Sequence, residues 1–281
     1  MDTATFLYIV DLETKDDTIR SVAARVRDGH GYLRILLYAP VPILPFNATG
    51  AISFASAGVA DHWPEEVARA QAASQTRAQE LEAILANLGA PGEIRPIFCV
   101  LADIKTQVAE CTRSADLAII AQSLRDTPES FSEWAHACLF NSPVGLLLNA
   151  PVFKPDGHVF LAWDDGDAAS NAAHKALPLL KASREITIGC FDPELNEGGE
   201  FTEPGADVAA WLTRHGCSVT LAHYPSGGVE LGTSILSKAA ELGCDTIVMG
   251  AYGHSRMRQA LFGGTTRTVL EQTERAVFLA H

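Results

Sequence analysis

A cluster of glycines near the C-terminus of the sequence has the spacing of a phosphate-binding loop. Gly250 ends an apolar run, Gly253 follows three positions later, and Gly263-Gly264 comes after nine more residues, where a last helix is predicted to begin. Glycine adopts positive φ angles without strain and lets the backbone approach a ligand closely. A helix N-terminus adds unpaired N–H groups and a partial positive charge, both of which suit phosphate. The segment therefore predicts a phosphate cradle at the end of a strand.

Asp164 is a second residue that could contribute to this site. Asp164 and Gly250 both lie at the ends of predicted strands, and ligands of open parallel sheets bind beyond the carboxyl ends of the strands. Two other phosphate motifs do not occur: the sequence has no G-x-x-x-x-G-K-[ST], and no G-x-G-x-x-G follows a first strand. We therefore expect neither a P-loop protein nor a dinucleotide-binding Rossmann domain.

Short apolar runs alternate with longer amphipathic stretches, which is typical of βαβ units and a parallel sheet. The predicted strands are Thr5–Val10, Tyr32–Ala39, Glu93–Leu101, Asp116–Gln122, Val144–Asn149, His158–Trp163, Glu185–Phe191, Ser218–His223, Thr246–Ala251 and Ala276–Ala280. The predicted helices are Lys15–Asp28, Pro64–Leu88, Ala102–Thr112, Pro128–Leu139, Ala168–Ala182, Gly205–His215, Ser226–Leu242 and Thr265–Thr273. A long stretch, Pro40–His62, is predicted to be irregular.

The two halves of the sequence repeat one order of elements. Val10-Asp11 closes the first predicted strand of one half, and Trp163-Asp164 closes that of the other. A repeat of this length predicts a duplicated domain rather than a solenoid. We therefore expect two domains, over residues 1–150 and 151–281, joined by a linker that contains prolines.

The composition is that of a globular protein without nucleic-acid or membrane contacts. Hydrophobic residues make up 47% and charged residues 20%, which is ordinary for a packed core. The net charge of −13 leaves no broad basic surface for nucleic acid. No apolar run is long enough to cross a bilayer and no signal-peptide pattern precedes the first strand, so we expect a cytoplasmic protein. None of the six cysteines forms a C-x-x-C pair, which favours reduced thiols in a cytosolic core.

On these residues the chain resembles the universal stress protein family, in its tandem form with two domains in one chain. ATP-binding members carry G-x2-G-x9-G-[S/T]; Gly250, Gly253 and Gly263 match this motif, and Gly264 stands at the Ser/Thr position. The resemblance implies an α/β fold in which each domain is an open, mostly parallel five-stranded sheet flanked by helices. It implies that the domains pack as a pseudo-dimer through their last strands. It also implies that the chain binds ATP or AMP, with Mg²⁺ as the counterion of the nucleotide.

The resemblance gives roles to individual residues of the second half. Asp164 would lie near the base and ribose, and the backbone near Phe191 would meet the adenine edge. The loop and helix start would hold the phosphates and ribose, and Thr265 or Thr266 would partly replace the hydroxyl that Gly264 lacks. The residues expected at the site are Asp164, Phe191, Gly250, Gly253, His254, Arg256, Gly263, Gly264, Thr265 and Thr266.

Other polar residues give weaker signals. Arg256 could bind a phosphate oxygen in bidentate fashion or could be a solvated loop charge. The run Asp164-Asp165-Gly166-Asp167 lacks the Glu that closes a calcium loop, and no H-x-x-x-H or H-E-x-x-H pair occurs, so no metal site is expected. No G-x-S-x-G is present and no residue is placed by spacing to act as a general base, so no catalytic residue is expected.

The first half departs from the cradle pattern. No glycine lies between Ala121 and Val144, and a backbone with Cβ atoms throughout cannot easily wrap a triphosphate. Asp11 remains at the end of the first strand, where we expect a helix-start or solvent residue. The first domain is therefore interpreted as degenerate, with one nucleotide site per chain. Trp163 and Trp211 are expected to pack in the core or between domains.

Three functions remain open at this point. The first is a non-enzymatic universal stress protein that binds ATP or AMP in its C-terminal domain and acts in stress response by nucleotide-linked conformation or partner binding, with at most slow hydrolysis. Its protein partner is unknown, and a homodimer is compatible with it. The alternative is a ligand-free interaction module of the same fold, supported by the degenerate first half and by Gly264. A nucleotide-hydrolysing enzyme is disfavoured, because neither S-G-G-x-D-S nor H-x-G-H follows the first strand of the second half.

Overall fold

The first half of the chain alternates strands and helices as the apolar pattern predicts. The computed structural model describes residues 4–43, 54–150, 154–192, 203–252 and 264–281. The elements of the first half are β1 (Thr5–Asp11), α1 (Asp16–Asp28), β2 (Tyr32–Pro40), α2 (Phe54–Leu88), β3 (Gly92–Cys99), α3 (Ile104–Thr112), β4 (Leu117–Ile120), α4 (Pro128–Phe140) and β5 (Gly145–Leu148). A 3₁₀ turn precedes α3, and another, Gln122–Asp126, connects β4 to α4.

The second half follows the same order, with one helix divided in two. Its elements are β6 (His158–Trp163), α5 (Asp167–Lys175), α6 (Leu177–Lys181), β7 (Glu185–Phe191), α7 (Ala206–Arg214), β8 (Val219–Tyr224), α8 (Leu231–Glu241), β9 (Thr246–Gly250), α9 (Gly264–Glu271) and β10 (Ala276–Ala280). The observed bounds of β6, β7 and β10 are those predicted from the sequence.

The ten strands found among the described residues belong to one sheet, in the order β3-β2-β1-β4-β5-β10-β9-β6-β7-β8. Neighbours within each half are parallel, and the halves meet where β5 pairs antiparallel with β10. Gly145 on β5 is required there, because a Cβ at this position would lie 2.0 Å from the Phe278 ring of β10. The predicted fold class, α/β with a mostly parallel sheet flanked by helices, is confirmed, and the two halves share a single sheet.

Two helices differ from the prediction because of proline. Helix α2 begins at Phe54 and carries Pro64 in its interior, whereas the sequence predicted a start at Pro64 and an irregular stretch before it. Residues 44–53 of that stretch lie outside the described residues. The helix predicted over Ala168–Ala182 is divided at Ala176, because Pro178 cannot donate a backbone N–H and begins a new helix instead.

The core lies on both faces of the sheet. Alternate residues of β1 show this division: Phe6, Tyr8 and Val10 pack on one side, and Leu7 and Ile9 pack on the other. All six cysteines are buried and none forms a disulfide. Among the described residues, no helix combines the length and apolarity needed to cross a bilayer.

The two tryptophans that were expected in the core or between the domains are both only partly buried. Trp163 and Trp211 pack against the core of the second half. Trp163 also lines a pocket at the end of β6.

Candidate functional site

A pocket of about 260 Å³ opens in the second half, at the carboxyl ends of β6, β7 and β9. Helices α5, α8 and α9 close its sides, and the first turn of α9 lies at its rim. The lining residues are Ala162, Trp163, Asp164, Ala168, Ala169, Phe191, Leu231, Ile235, Met249, Gly250, Tyr252, Gly264, Thr265 and Thr266. Most of these side chains are apolar, so the pocket offers an apolar wall with a few polar groups, as ligand sites commonly do.

Asp164 is fixed in the pocket by the turn that follows β6. Its Oδ1 accepts a hydrogen bond from the Gly166 N–H at 3.0 Å, and the next residue, Asp165, has a φ of 58°. The Trp163 indole N–H donates to Asp165 Oδ1 at 2.6 Å. The turn therefore holds the Asp164 carboxylate at the strand end, where it can accept hydrogen bonds from a ligand's hydroxyl groups.

Gly250 lines the pocket but has a packing reason of its own. A Cβ at Gly250 would lie 2.5 Å from the Ala168 carbonyl carbon and 2.6 Å from the Ala169 nitrogen. These contacts are with backbone atoms of α5, which cannot move aside cheaply. The glycine therefore allows α5 to approach β9, whereas the sequence analysis attributed it to the approach of a ligand.

The first turn of α9 lies at the rim of the pocket. Gly264 begins the helix, and among the described residues a Cβ there would meet Glu230 Oε1 alone, at 3.7 Å. Thr265 is half-buried beside it. Thr266 is buried, and its hydroxyl accepts a hydrogen bond from the Tyr252 N–H at 3.2 Å. This bond ties the start of α9 to the residue that follows β9 by two positions.

Glu230 is a charged residue beside the pocket, next to Gly264, that the sequence analysis missed. It caps α8, and its carboxylate accepts hydrogen bonds from the N–H groups of Gly232 and Thr233 at 2.9 and 2.8 Å. Burial raises the pKa of Glu230, but these bonds and one from Thr268 outweigh it, so the pKa lies below its ordinary value. The sequence predicted that α8 begins at Ser226, and Glu is a rare N-cap, so local patterns gave no signal for Glu230.

Tyr252 brings the first half of the chain to the pocket. Its φ is 60°, and its ring lies 4.9 Å from the ring of Phe140, at the end of α4. Burial raises the pKa of Tyr252 to about 12. Since α4 belongs to the first half, one wall of the pocket rests on a side chain that no pattern within the second half could reveal.

The pocket unites all of the predicted site residues whose positions the structure describes. These are Asp164, Phe191, Gly250, Gly264, Thr265 and Thr266, contributed by strand ends and a helix start that are far apart in sequence. The other four, Gly253, His254, Arg256 and Gly263, lie outside the described residues. Among the described residues, no three His, Cys, Asp or Glu side chains form a cluster that could hold a metal ion.

The corresponding place in the first half is occupied by side chains. Asp11, at the end of β1, accepts hydrogen bonds at Oδ1 from the hydroxyls of Thr14 and Ser123, at 2.7 and 2.8 Å. The two hydroxyl oxygens are also 2.7 Å from each other. The sequence analysis expected a helix-start or solvent residue, whereas the structure shows Asp11 at the centre of a closed polar network.

Trp134 fills the remaining space of the first half. Trp134 lies eleven residues before Gly145, which pairs with β4, and Thr265 lies eleven residues before Ala276, which pairs with β9 in the same manner. The two residues therefore correspond. The Trp134 side chain is completely buried and packs edge-on against Tyr38 at 5.1 Å. Tyr38 of β2 pairs with Asp11, the last residue of β1, and Phe191 is the last residue of β7.

The fold and the pocket define an α/β protein with an open, mostly parallel sheet and a site at the carboxyl ends of its strands. Residues 226–281 match the universal stress protein family. A universal stress protein from Archaeoglobus fulgidus DSM 4304 superposes with a TM-score of 0.64 at 16% identity, covering 99% of this chain and 96% of that one. A putative universal stress protein from Pseudomonas aeruginosa UCBPP-PA14 gives 0.52 at 15% identity, covering 99% and 93%.

A functionally unknown protein from Pseudomonas aeruginosa PAO1 is similar to the same extent, with a TM-score of 0.52 at 15% identity and coverage of 99% and 92%. No curated protein was found to match the sequence. Residues 226–281 are thus similar to the universal stress protein family, and the whole chain has the fold of solved structures of that name. The resemblance inferred from the glycine motif is confirmed.

Proposed function

We propose that the second half binds an adenine nucleotide, ATP or AMP, and that the protein acts in stress response by a nucleotide-linked change of conformation or partner. The observation that carries this proposal is the convergence of six expected residues on one pocket. They come from the ends of β6, β7 and β9 and from the start of α9. The strand order alone does not produce such a convergence: in the first half, which has the same order, Asp11 is hydrogen-bonded to Thr14 and Ser123, and Trp134 is completely buried at the position of Thr265.

The two ends of the pocket suit the two ends of a nucleotide. The start of α9 offers backbone N–H donors and the positive end of a helix dipole, which favour a phosphate. Gly264 adds no side chain at that turn, where among the described residues a Cβ would meet Glu230 Oε1 alone. At the other end, Asp164 can accept hydrogen bonds from ribose hydroxyls, and Phe191 provides an apolar wall beside a base. Mg²⁺ would accompany the nucleotide as a counterion of its phosphates.

The proposal is tested by isothermal titration of nucleotide-free protein with ATP and AMP in the presence of Mg²⁺. Asp164→Ala removes the carboxylate, and we expect an affinity loss of about tenfold or more, the size of a lost hydrogen bond to a charged group. Asp164→Asn is the matched control for folding, because its amide oxygen can still accept the Gly166 N–H. If wild type binds neither nucleotide, the ligand-free interaction module takes the place of this proposal.

The site is proposed as a binding site, with at most slow hydrolysis. Phosphate release from saturating ATP, followed over hours, measures this property separately from binding. If the wild-type protein turns over ATP at about 1 per second or more, a rate ordinary for enzymes, and Asp164→Ala abolishes this turnover, the non-enzymatic assignment is contradicted.

A further inference from the structure

Arg125, in the first half, reaches across to the last helix of the second half. It lies in the 3₁₀ turn that follows β4. Its Nη2 donates to the carbonyl oxygens of Leu270 and Gln272, the latter at 3.0 Å. Leu270 is in the last turn of α9, where carbonyl groups lack helical partners. A cation from the first half thus occupies the negative end of the α9 dipole.

Asn149 completes this contact from the end of β5. Its Oδ1 accepts a hydrogen bond from Arg125 Nη1 at 2.8 Å. Its Nδ2 donates to the carbonyl oxygens of Gln272 and Arg275, both at 3.0 Å. Among the described residues, Arg125 is bound to carbonyl and amide oxygens, its guanidinium lies 4.5 Å from the centre of the Phe131 ring, and it forms no ion pair. Its hydrogen bonds therefore fix the position of the backbone at the end of α9 and do not neutralise an acid.

A second contact from the first half holds the other side of the site. The Phe140 ring lies 4.9 Å from that of Tyr252 and 4.6 Å from that of His281. Tyr252 in turn donates its N–H to Thr266 in the first turn of α9. Tyr252 and α9 stand on the two sides of residues 253–263 in the sequence. Both of these flanking parts are therefore held by side chains of the first half.

Helix α9 is short enough to transmit a displacement from one end to the other. It has eight residues, which corresponds to a length of about 12 Å. Arg125 acts at its C-terminal end, and Gly264 and Thr265 lie in the pocket at its N-terminal end. A shift or fraying at Leu270 would change the direction of the N–H groups at the helix start.

We propose that the first half is a positioning partner of the second-half site, with Arg125 as the positioning residue that aims the start of α9 into the pocket. This inference rests on the proposed function for its ligand. The closed first half then has a role. It makes no ligand contact of its own, and it fixes the phosphate end of the site in the second half.

The test compares phosphate-bearing and phosphate-free ligands in three variants. Arg125→Met keeps much of the aliphatic part of the side chain and removes the guanidinium. Arg125→Lys keeps the positive charge but loses the planar guanidinium with its several N–H donors. Arg77→Met is the control for loss of a partly buried arginine: Arg77 donates to the Thr14 carbonyl at 2.7 Å and pairs with Asp16 and Glu80, all in the first half, and among the described residues it has no contact with α9. Each protein is titrated with ATP and with adenosine after circular dichroism has shown that it is folded.

We expect Arg125→Met to weaken ATP about tenfold or more, within the usual range of coupling between sites, and to change adenosine by less than about twofold. Arg125→Lys should retain part of the ATP affinity, and Arg77→Met should bind both ligands like wild type. An unchanged ATP affinity in Arg125→Met overturns the proposal. So does an equal loss for ATP and adenosine, because a general loosening of the second half would produce it.

Amide hydrogen exchange separates this proposal from the proposed function. Arg125→Met should accelerate exchange in residues 264–271, whereas Arg77→Met should leave that segment at the wild-type rate. If wild type binds no adenine nucleotide but α9 loosens in this way, the proposed function fails and the positioning role stands. If exchange in α9 is the same in both variants and wild type, the positioning role fails.

Discussion

The two halves of this chain have one strand order and differ in what fills the carboxyl edge of the sheet. In the second half, Asp164 faces an open pocket bounded by the start of α9. In the first half, Asp11 is bonded to two hydroxyls, and Trp134 occupies the place that corresponds to Thr265. The comparison shows that a strand-end acid is not by itself a ligand site. The two halves differ at the corresponding positions of Trp134 and Thr265, where one edge is packed and the other is open.

The buried Trp134 both closes the edge of the first half and stabilises that half. Burial of a large aromatic side chain contributes to the free energy of unfolding, and an edge-on aromatic pair adds to it. The second half keeps small or polar residues at these positions, so that its edge can receive a ligand.

The largest effect is expected from opening the closed half. Trp134→Ala should lower the free energy of unfolding by about 3–5 kcal/mol, because it leaves a cavity beside Tyr38. Denaturant unfolding measures this change. Trp134→Phe is the control: the indole N–H has no hydrogen-bond partner among the described residues, so an aromatic ring without it should cost less than half as much. A loss below about 1 kcal/mol for Trp134→Ala would show that Trp134 does not hold the first half closed.

The reverse change should close the open half. Thr265→Trp places an indole where the first half has one, and we expect a folded protein whose affinity for ATP falls about 100-fold, equivalent to about 2.7 kcal/mol. Thr265→Val, which removes only the hydroxyl, should keep most of the affinity. Titration with ATP distinguishes the two. Undiminished binding by a folded Thr265→Trp would place the ligand elsewhere.

Adding a side chain at each of the two glycines of the pocket should change the stability of the protein to different extents. Gly250→Val should lower the free energy of unfolding by about 1–3 kcal/mol, because the added atoms meet the backbone of α5. Gly264→Ala has room for its Cβ, and its effect should stay within about 1 kcal/mol of zero. Thermal unfolding of both variants provides the measurement. Equal losses would contradict the packing role of Gly250.

The smallest effect concerns the charge at the start of α8. The pKa of Glu230 is lower in the folded protein than its ordinary value, so its carboxylate stabilises the fold at neutral pH, and this stabilisation is lost as the pH falls through the folded-state pKa. Glu230→Gln should therefore cost about 0.5–1 kcal/mol at pH 7. The gap between the two proteins should narrow below about pH 4.5, the ordinary Glu value. A gap that is constant from pH 7 to pH 3 would contradict this assignment.

Features that depend on local patterns could be predicted from the sequence. The bounds of β6, β7 and β10 were predicted correctly, and the glycine motif located the start of α9 within one residue. The features that were missed depend on contacts between distant segments. Nothing in the sequence shows that Trp134 occupies the place of a ligand. Arg125 binds a carbonyl group 145 residues further along the chain. The acidic residues at the strand ends could be found from the sequence, but the sequence could not show whether each of them faces a cavity.

The central claim is that one half of this chain is open to an adenine nucleotide and the other is filled. The most direct test is the stoichiometry of ATP binding to protein freed of co-purified nucleotide, measured by titration at protein concentrations well above the dissociation constant. The account predicts one site per chain, lost in Thr265→Trp and retained in Trp134→Phe. Two sites per chain, or a single site that survives Thr265→Trp, would contradict it.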